Sequence, residues 1–584
     1  MKNLLINYSL LVFVVFLGLK TAQAQIVAVP TSSYGTWDRG GGVDDYSNPK
    51  ADFVMGIEVS AKWAEVQPNG PEKYDFSMFQ KVLDDAAKHH KIVKLSINVG
   101  PDSPLWFYEN GIPLVKVKSD KPEKHDIKFA NYPYYFNQKH IEYYFKLIEE
   151  FSLFLRNQPK EKFDCIAFFQ VKTGATGDES PYKGEPYDEK YHISKKDWET
   201  FRLKAFNHHK KYFNDVPNRQ IVLIFNSINP EKNPEAYNWI NTKIDPNIGY
   251  GIKGGAYNRG HHLTGEKSFK KLWVPYLVNP KGMKLFSASE MDATWNKPQF
   301  NINKELGFYW AAMSAVNTGV SSTNMQKGAV RFGMRNKEIR DIFLMFNTYA
   351  QQVYPATATT AVSVFHEGLD AADTNKFPES EFGKASKANL ERYVKICKAY
   401  EARGARMDHL EYASKGQVVQ RLRQKGYNDA GWDIEDGNYE RFLHQINPEE
   451  TSIGLFRVRG EITKKSSKYD RFARSFENAK GKNTMYFQFH KEMFETSNPK
   501  SLQFTITWLD KNQGSTWALK YNDGKKIKTA EEVKGKGDNK WKTTIITIND
   551  MMLNHKGEFG SDFMLVNTDE VDDIFNGIEV SINR

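Results

Sequence analysis

Two short stretches carry acidic residues in settings suited to proton transfer or nucleophilic attack. In LFSASEMDATW (285–295) a single glutamate, Glu290, closes an apolar run, and Trp295 follows five positions later. In GATGDESPY (174–182) Asp178 and Glu179 follow a glycine-containing turn, with Glu185 shortly beyond. A carboxylate at the end of a buried strand must be compensated by donors or an opposite charge. Where it faces a second carboxyl the two can divide labour: one, with its pKa raised by apolar walls, gives a proton, while the other stays ionised. Ser287, Ala288 and Ser289 are small enough to let a substrate approach Glu290 closely. The competing structural readings are a buried pair of Glu290 with Lys253 or Arg331, and a solvated loop position for Glu179.

The elements that must hold these groups come from hydrophobic periodicity. Short β-branched runs at Val27–Ser33, Phe53–Ser60, Ile92–Asn98, Phe163–Val171, Gln220–Asn226, Ile248–Lys253, Lys284–Glu290 and Val320–Asn324 alternate with amphipathic stretches such as Met78–His90, Gln138–Arg156, Lys195–Phe213 and Lys304–Asn317. Eight strands, each followed by a helix or a long loop, predict a (β/α)8 TIM barrel of the α/β class. A doubly wound sheet is the alternative, but no glycine fingerprint follows the first strand. Helical stretches at Ile339–Tyr354 and Asn389–Arg403, with the loop FHEGLDAADTNKFP (365–378) between them, read as barrel closure and rim. From about Gly431 the pattern changes to short alternating runs, which predicts an all-β sandwich. The organisation expected is thus a leader at 1–24, a barrel at 25–428 and a sandwich at 429–584, with the boundary in RQKGYNDAGWD (423–433).

In such barrels the reactive groups lie at the carboxyl ends of the strands. Those ends carry Glu58, Lys62 and Trp63, then Asn98 and Asp102, Gln170 to Glu179, Asn226, Lys253 and Tyr257, Glu290 and Trp295, and Asn324. Two carboxyls on facing strand ends are what glycoside hydrolysis requires. The layout resembles the superfamily of retaining glycoside hydrolases whose acid/base follows barrel strand four and whose nucleophile ends strand seven, and the likeness spans roughly residues 26–425. Carried over, it makes Glu179 the acid/base and Glu290 the nucleophile. Many members place an asparagine directly before the acid/base, whereas here Asp178 stands there, so Asp178 and Glu185 remain alternatives. The strand-four loop is similar to that of β-amylase-like and bacterial β-galactosidase-like barrels.

Substrate contacts are expected from Lys62, Trp63, Asn98, Asn226, Tyr257, His261 and Trp295. Tyr257, Asn226 and Lys62 offer hydrogen-bond donors to the nucleophile, and a flat indole suits the apolar face of a sugar ring, although core packing explains any one tryptophan, Trp106 included. His261 and His262 lack a carboxylate at ligand spacing, so a rim contact is expected rather than a metal. Asp370 and Asp373 either line the cleft or form a turn. In the far domain, which resembles carbohydrate-binding sandwiches, Trp508, Trp517 and Trp541 are platform or core residues, and Asp510 and Asp562 offer weak grounds for a structural calcium. No other cofactor is expected.

Whole-chain properties bound the setting. Lys2, the apolar run Leu10–Leu19 and Ala22-Gln23-Ala24 form an export signal, so the protein is expected in the periplasm or the medium. No later stretch is long and apolar enough to span a membrane. Cys165 and Cys397 are too few for a disulfide framework. The net charge of +10 favours anionic partners, but its lysines are scattered, which argues against a nucleic-acid groove. A sulfated β-linked galactan is the expected substrate, because the layout resembles that of secreted barrels with appended sandwiches, a resemblance that implies algal galactans of carrageenan or agar type. Neutral β-glucan, a non-catalytic glycan-binding role and polysaccharide elimination are the alternatives.

Overall fold

The computed structural model describes residues 29–101, 103–118, 131–175, 177–226, 229–245, 248, 250–253, 266–273, 285–291, 295–296, 298–407, 428–494 and 501–583. The expected leader, Tyr257, His261 and His262 lie outside these residues. Eight parallel strands close a barrel: β1 (Gly35–Asp38), β2 (Gly56–Lys62), β3 (Ile92–Asn98), β4 (Ile166–Gln170), β5 (Val222–Phe225), β6 (Gly251–Lys253), β7 (Phe286–Glu290) and β8 (Ser322–Met325). Each pairs with its neighbour in sequence, and β1 closes the ring against β8 through Gly35↔Ser322 to Asp38↔Met325.

The first strand differs from the sequence expectation. The segment Thr31–Ser33 forms a single 3-10 turn, and the strand begins at Gly35. Four residues suffice there because both edges are satisfied by distant strands, a constraint that local β-propensity does not express. Gly35 has φ +132, and a Cβ there would run into the Asn347 side chain, so any other residue at this position would meet both backbone strain and a clash.

The helices follow from amphipathic spacing and caps. They are α1 (Ser77–Lys88), α2 (Gln138–Arg156), α3 (Lys195–His209), α4 (Pro234–Lys243), α5 (Glu266–Trp273), α6 (Lys304–Thr318), α7 (Lys327–Arg335), α8 (Lys337–Ala350) and α9 (Leu390–Ala399). Asn137 starts α2 by accepting from the amides of Lys139 and His140, and the helix then buries Tyr144, Leu147, Ile148, Phe151 and Leu155. Almost all of α6 is buried, because it lies between the barrel and the C-terminal sheets: the Trp310 indole donates to the Lys468 carbonyl and the Tyr309 hydroxyl to Asn576 Oδ1.

The C-terminal region packs two sheets face to face. Its strands are β9 (Thr360–Val364), β10 (Tyr439–Arg441), β11 (Leu443–Ile446), β12 (Ile453–Phe456), β13 (Phe472–Ser475), β14 (Thr484–Phe489), β15 (Ser501–Asp510), β16 (Gln513–Asn522), β17 (Ile527–Lys536), β18 (Lys540–Ile548), β19 (Phe563–Asn567) and β20 (Ile574–Asn583). One sheet runs β10-β9-β20-β13-β12, with β15 bridging β20 to β18; the other runs β11-β14-β19-β16-β17. Residues 360–364, which the sequence groups with barrel closure, pair with the last strand of the chain and belong to the first of these sheets. Trp508 and Trp517 are buried core residues with their rings edge to face at 5.7 Å, and Trp541 is half-buried, its indole donating to Asp470 at 2.7 Å. Asp510 accepts from the amides of Lys536 and Gly537, and Asp562 from those of Phe489 and His555, so both carboxylates serve backbone turns. Among the described residues no helix is long and apolar enough to cross a membrane.

Candidate active site

The floor of the barrel mouth is a run of buried polar side chains. Lys94, on β3, is 1% exposed, and its ammonium lies 2.8 Å from Glu58 Oε2 on β2. The register places the two side by side, Glu58↔Lys94. The same ammonium donates to Gln170 Oε1 at 3.1 Å, Gln170 Nε2 donates to Asn226 Oδ1 at 2.9 Å, and the backbone N–H of Asn226 donates to Asp178 Oδ2 at 3.0 Å. On the other side Asn324 donates its amide to Glu58 Oε2. Charged groups this deep persist only when paired and hydrogen-bonded, and this chain of contacts supplies both, from β8 across to the strand-four loop.

Glu290 ends β7 beside Asn324 in register and is 12% exposed at its side chain. Its Oε1 lies 3.7 Å from Arg39 Nη2. Arg39 follows β1 directly, and its position is set from below: the Arg39 amide donates to the Met325 carbonyl, while the buried Asp38 carboxylate accepts from the amides of Gly42 and Val43 and the hydroxyl of Tyr46. Burial pushes the Asp38 carboxyl up, against those lowering hydrogen bonds. Arg331 pairs with Asp44 instead of Glu290, at 2.9 Å.

The strand-four loop presents its two acids differently. Gly177 takes φ +72 and returns its carbonyl to the amides of Thr173 and Gly174, a tight turn in which a Cβ would crowd the Asn226 side chain. Asp178 is wholly buried and tied to β5. Glu179 is exposed, but its backbone is fixed, since its carbonyl accepts from Trp198 Nε1 and Arg202 Nη1, each at 3.2 Å. Glu185 is 75% exposed and lies 3.5 Å from His192.

The remaining expected contacts divide. Lys62 stands at the end of β2 beside Asn98, and its amide donates to Glu65. Asn98 Oδ1 accepts from Lys172 Nζ at 2.5 Å, and Lys172 also donates to Ser60 at 2.8 Å. Asn226 belongs to the buried chain described above. Trp63, expected as a sugar contact, is fully buried: its indole donates to Gln67 and its ring meets Phe107 edge to face at 4.6 Å. It faces away from the mouth because it begins the helical turn after β2 and turns into the α2 interface. Trp106 is likewise buried and donates to the Gln67 carbonyl. Trp295 is half-buried, with the Lys304 ammonium 4.6 Å over its ring. Asp370 bonds Lys267 of α5 and the Asp433 amide, an internal strut, and Asp373 caps a turn through the amides of Asn375 and Lys376.

Glu58 and Lys94 are the residues that reading for site groups passed over, Glu58 standing among the strand ends without a role. The signal was present: IVKLSIN reads as a strand buried on both faces, and a lysine inside such a strand demands a buried acid nearby.

No protein-family model matches the chain, and none of the curated proteins does. Among solved structures it is similar to the catalytic domain of a beta-amylase from Paenibacillus polymyxa, at 10% identity over 53% of this chain and 96% of that one, TM-score 0.34. It is also similar to a beta-galactosidase from Bacillus circulans sp. alkalophilus, at 12% identity over 57% of each chain, TM-score 0.36. A beta-galactosidase from Rahnella sp. R3 is similar at 11% identity over 70% of this chain and 66% of that one, TM-score 0.37.

Proposed function

We propose that the chain is a secreted glycoside hydrolase that cleaves a β-linked, sulfated galactan of carrageenan or agar type by double displacement with retention. The observation that carries this reading is the pair of acids on different walls of one barrel mouth: Glu290 on its strand beside a guanidinium, and Glu179 on an anchored loop above β4. Arg39 sets a guanidinium 3.7 Å from the Glu290 carboxylate, a positive charge beside the group that would attack. In the first step Glu290 bonds to the anomeric carbon as the glycosidic C–O bond breaks, and Glu179 gives its proton to the departing oxygen. In the second, Glu179 takes a proton from water, whose oxygen displaces Glu290. Asp178 anchors the arm that carries Glu179. The basic net charge, together with Arg39, Lys62 and Lys172 around the strand ends, supports an anionic polymer.

The test is a panel of algal and plant polysaccharides, read by product sizing and by the anomeric configuration of the first product. Retained β-anomers from a sulfated galactan are expected. Glu179→Gln is expected to lose about 10²- to 10⁴-fold on the polymer and to recover on aryl glycosides whose departure needs no proton. Equal loss on both refutes Glu179 as the acid, and ultraviolet-absorbing unsaturated products refute hydrolysis.

A further inference from the structure

On the face of the barrel opposite the mouth, a cavity of about 20 Å³ lies where the amino ends of β1, β7 and β8 meet the C-terminal sheets. Tyr34, Leu285 and Ser321, each one residue ahead of its strand, line it from the barrel. Ala350 and Val353 line it from the end of α8, and Arg441, the last residue of β10, from the C-terminal region. A single water needs about 10–15 Å³, so the cavity takes one particle of that size and excludes bulkier ions such as sulfate.

Arg441 enters this space without a counter-ion. Its Nε and Nη2 both donate to the Gln352 carbonyl, Nε at 3.0 Å, and its guanidinium lies 4.7 Å over the Phe442 ring. Neither contact brings a negative charge. Among the described residues no carboxylate pairs with Arg441, and burial with no acid nearby pushes its guanidinium down to about 10. The adjacent Glu440 is committed elsewhere: its carboxylate accepts from the Ser363 hydroxyl and the Gln445 amide and meets His444. A charge taken out of water persists only when it is compensated, and the side chains around Arg441 do not compensate it.

The other polar groups at the cavity can donate. Tyr34, 6% exposed, keeps its proton, because burial pushes the phenol up to about 12. Its hydroxyl is bonded to that of Ser321, and with Ser321 as donor the phenol hydrogen is left for the cavity. Leu285, Ala350 and Val353 complete the wall with apolar surface. One guanidinium, one hydroxyl donor and no acid among the lining residues suit an anion, and neither a cation nor a sugar.

We propose that this cavity binds a single-atom anion, chloride being the common one, which neutralises Arg441 and fastens the amino end of the barrel to the C-terminal sheets. Water fills the same volume but leaves the charge uncompensated. The site lies at the far end of the barrel from Glu179 and Glu290, so it is independent of the glycosidase reading. What it governs is cohesion: Arg441 comes from β10, Tyr34 and Ser321 from the barrel, and an ion held by both binds only while the two regions are docked. A ligand that binds only the folded chain raises its melting temperature with concentration.

The test follows the melting temperature of the full chain in sodium chloride, sodium bromide and sodium gluconate at matched ionic strength. From roughly 10 to 300 mM, chloride and bromide are expected to raise it by about 2–4 °C more than gluconate, along a curve that saturates. Arg441→Met is expected to abolish the halide-specific part. Tyr34→Phe keeps the ring and removes only the hydroxyl, and is expected to move the midpoint about three- to tenfold towards higher halide. Crystals grown in sodium bromide and measured at the bromine absorption edge are expected to show an anomalous peak beside Arg441. Should Arg441→Met fail to fold, Tyr34→Phe and the bromine peak decide between the outcomes. The absence of a halide-specific shift, a shift unchanged in the folded variants, or a cavity holding water and no bromine overturns the proposal.

Discussion

The sharpest structural prediction concerns the ion pair under the barrel mouth. Lys94 Nζ and Glu58 Oε2 are 2.8 Å apart, and the side chains are 1% and 4% exposed. At an effective dielectric of about 20 the direct attraction is roughly 332/(20 × 2.8), or about 6 kcal/mol. Most of it offsets the cost of desolvating both charges, so the pair adds little net stability over two well-packed apolar groups, yet removing one member costs about 3–5 kcal/mol. Lys94→Met keeps the length of the side chain and deletes the charge, and should destabilise the barrel by that amount, which at roughly 2 °C per kcal/mol lowers the melting temperature by about 6–10 °C. Glu58→Gln alone should also destabilise. The double variant should lose less than the sum of the singles by about 2 kcal/mol or more, because each change removes the reason the other was costly. Denaturant titration and scanning calorimetry of the four proteins measure this coupling. Additivity within about 0.5 kcal/mol would refute the reasoning, since a pair with this geometry and burial cannot be energetically independent.

Glu290→Gln should abolish turnover of every substrate the unaltered chain cleaves while leaving oligosaccharide affinity within about threefold, as calorimetric titration would show; residual activity above a thousandth would remove the residue from the nucleophile's role. Arg39→Met removes a half-exposed charge worth about 1 kcal/mol to Glu290 and should lower kcat roughly fivefold with little change in KM, and a larger effect on KM than on kcat would make Arg39 a substrate contact instead. Asp573, buried in the C-terminal sheets near Asp569, Asp510 and Asp572, has its carboxyl pushed up to about 7, first by burial and then by those like charges. A raised folded pKa means that its contribution is fully present below the ordinary carboxylate range and is lost as pH rises through about 7. Three units correspond to about 4 kcal/mol at most. Asp573→Asn should therefore come closest to the unaltered chain near pH 3 and exceed it in melting temperature by a margin that grows towards pH 8, and a pH-independent difference would contradict the assignment.

Seven of the eight barrel strands, β2 to β8, were legible because parallel strands buried on both faces leave continuous apolar runs. Helix α2 was legible to both ends because Asn137 caps it and its apolar positions keep helical spacing. What escaped depends on partners far away in sequence. Gly35–Asp38 is a strand because β2 and β8 flank it, and Thr360–Val364 joins the sandwich because residues more than 200 positions later, Gly577 to Ser581, pair with it. Tryptophan content was ambiguous for a different reason. The large flat ring that would stack on a sugar also fills a core, and for Trp63, Trp106, Trp508 and Trp517 the core won. The acids at strand ends could be read directly, whereas the Lys94–Glu58 pair required asking what a lysine is doing inside a buried strand.

The two walls of the mouth are fixed by different physical means, and this has consequences for how the site would operate. Glu290 inherits its place from a strand bonded on both sides, so its position is as stiff as the barrel itself. Glu179 inherits its place from side chains: Asp178 reaching the β5 amide, Trp198 and Arg202 holding its carbonyl, and Gly177 permitting the turn between. Asp178 also ends the buried polar chain. Arg202, whose guanidinium holds the Glu179 carbonyl, is itself held by Asn233 and Glu199, so a change at either of these should loosen the strand-four loop while leaving Glu290 where its strand puts it.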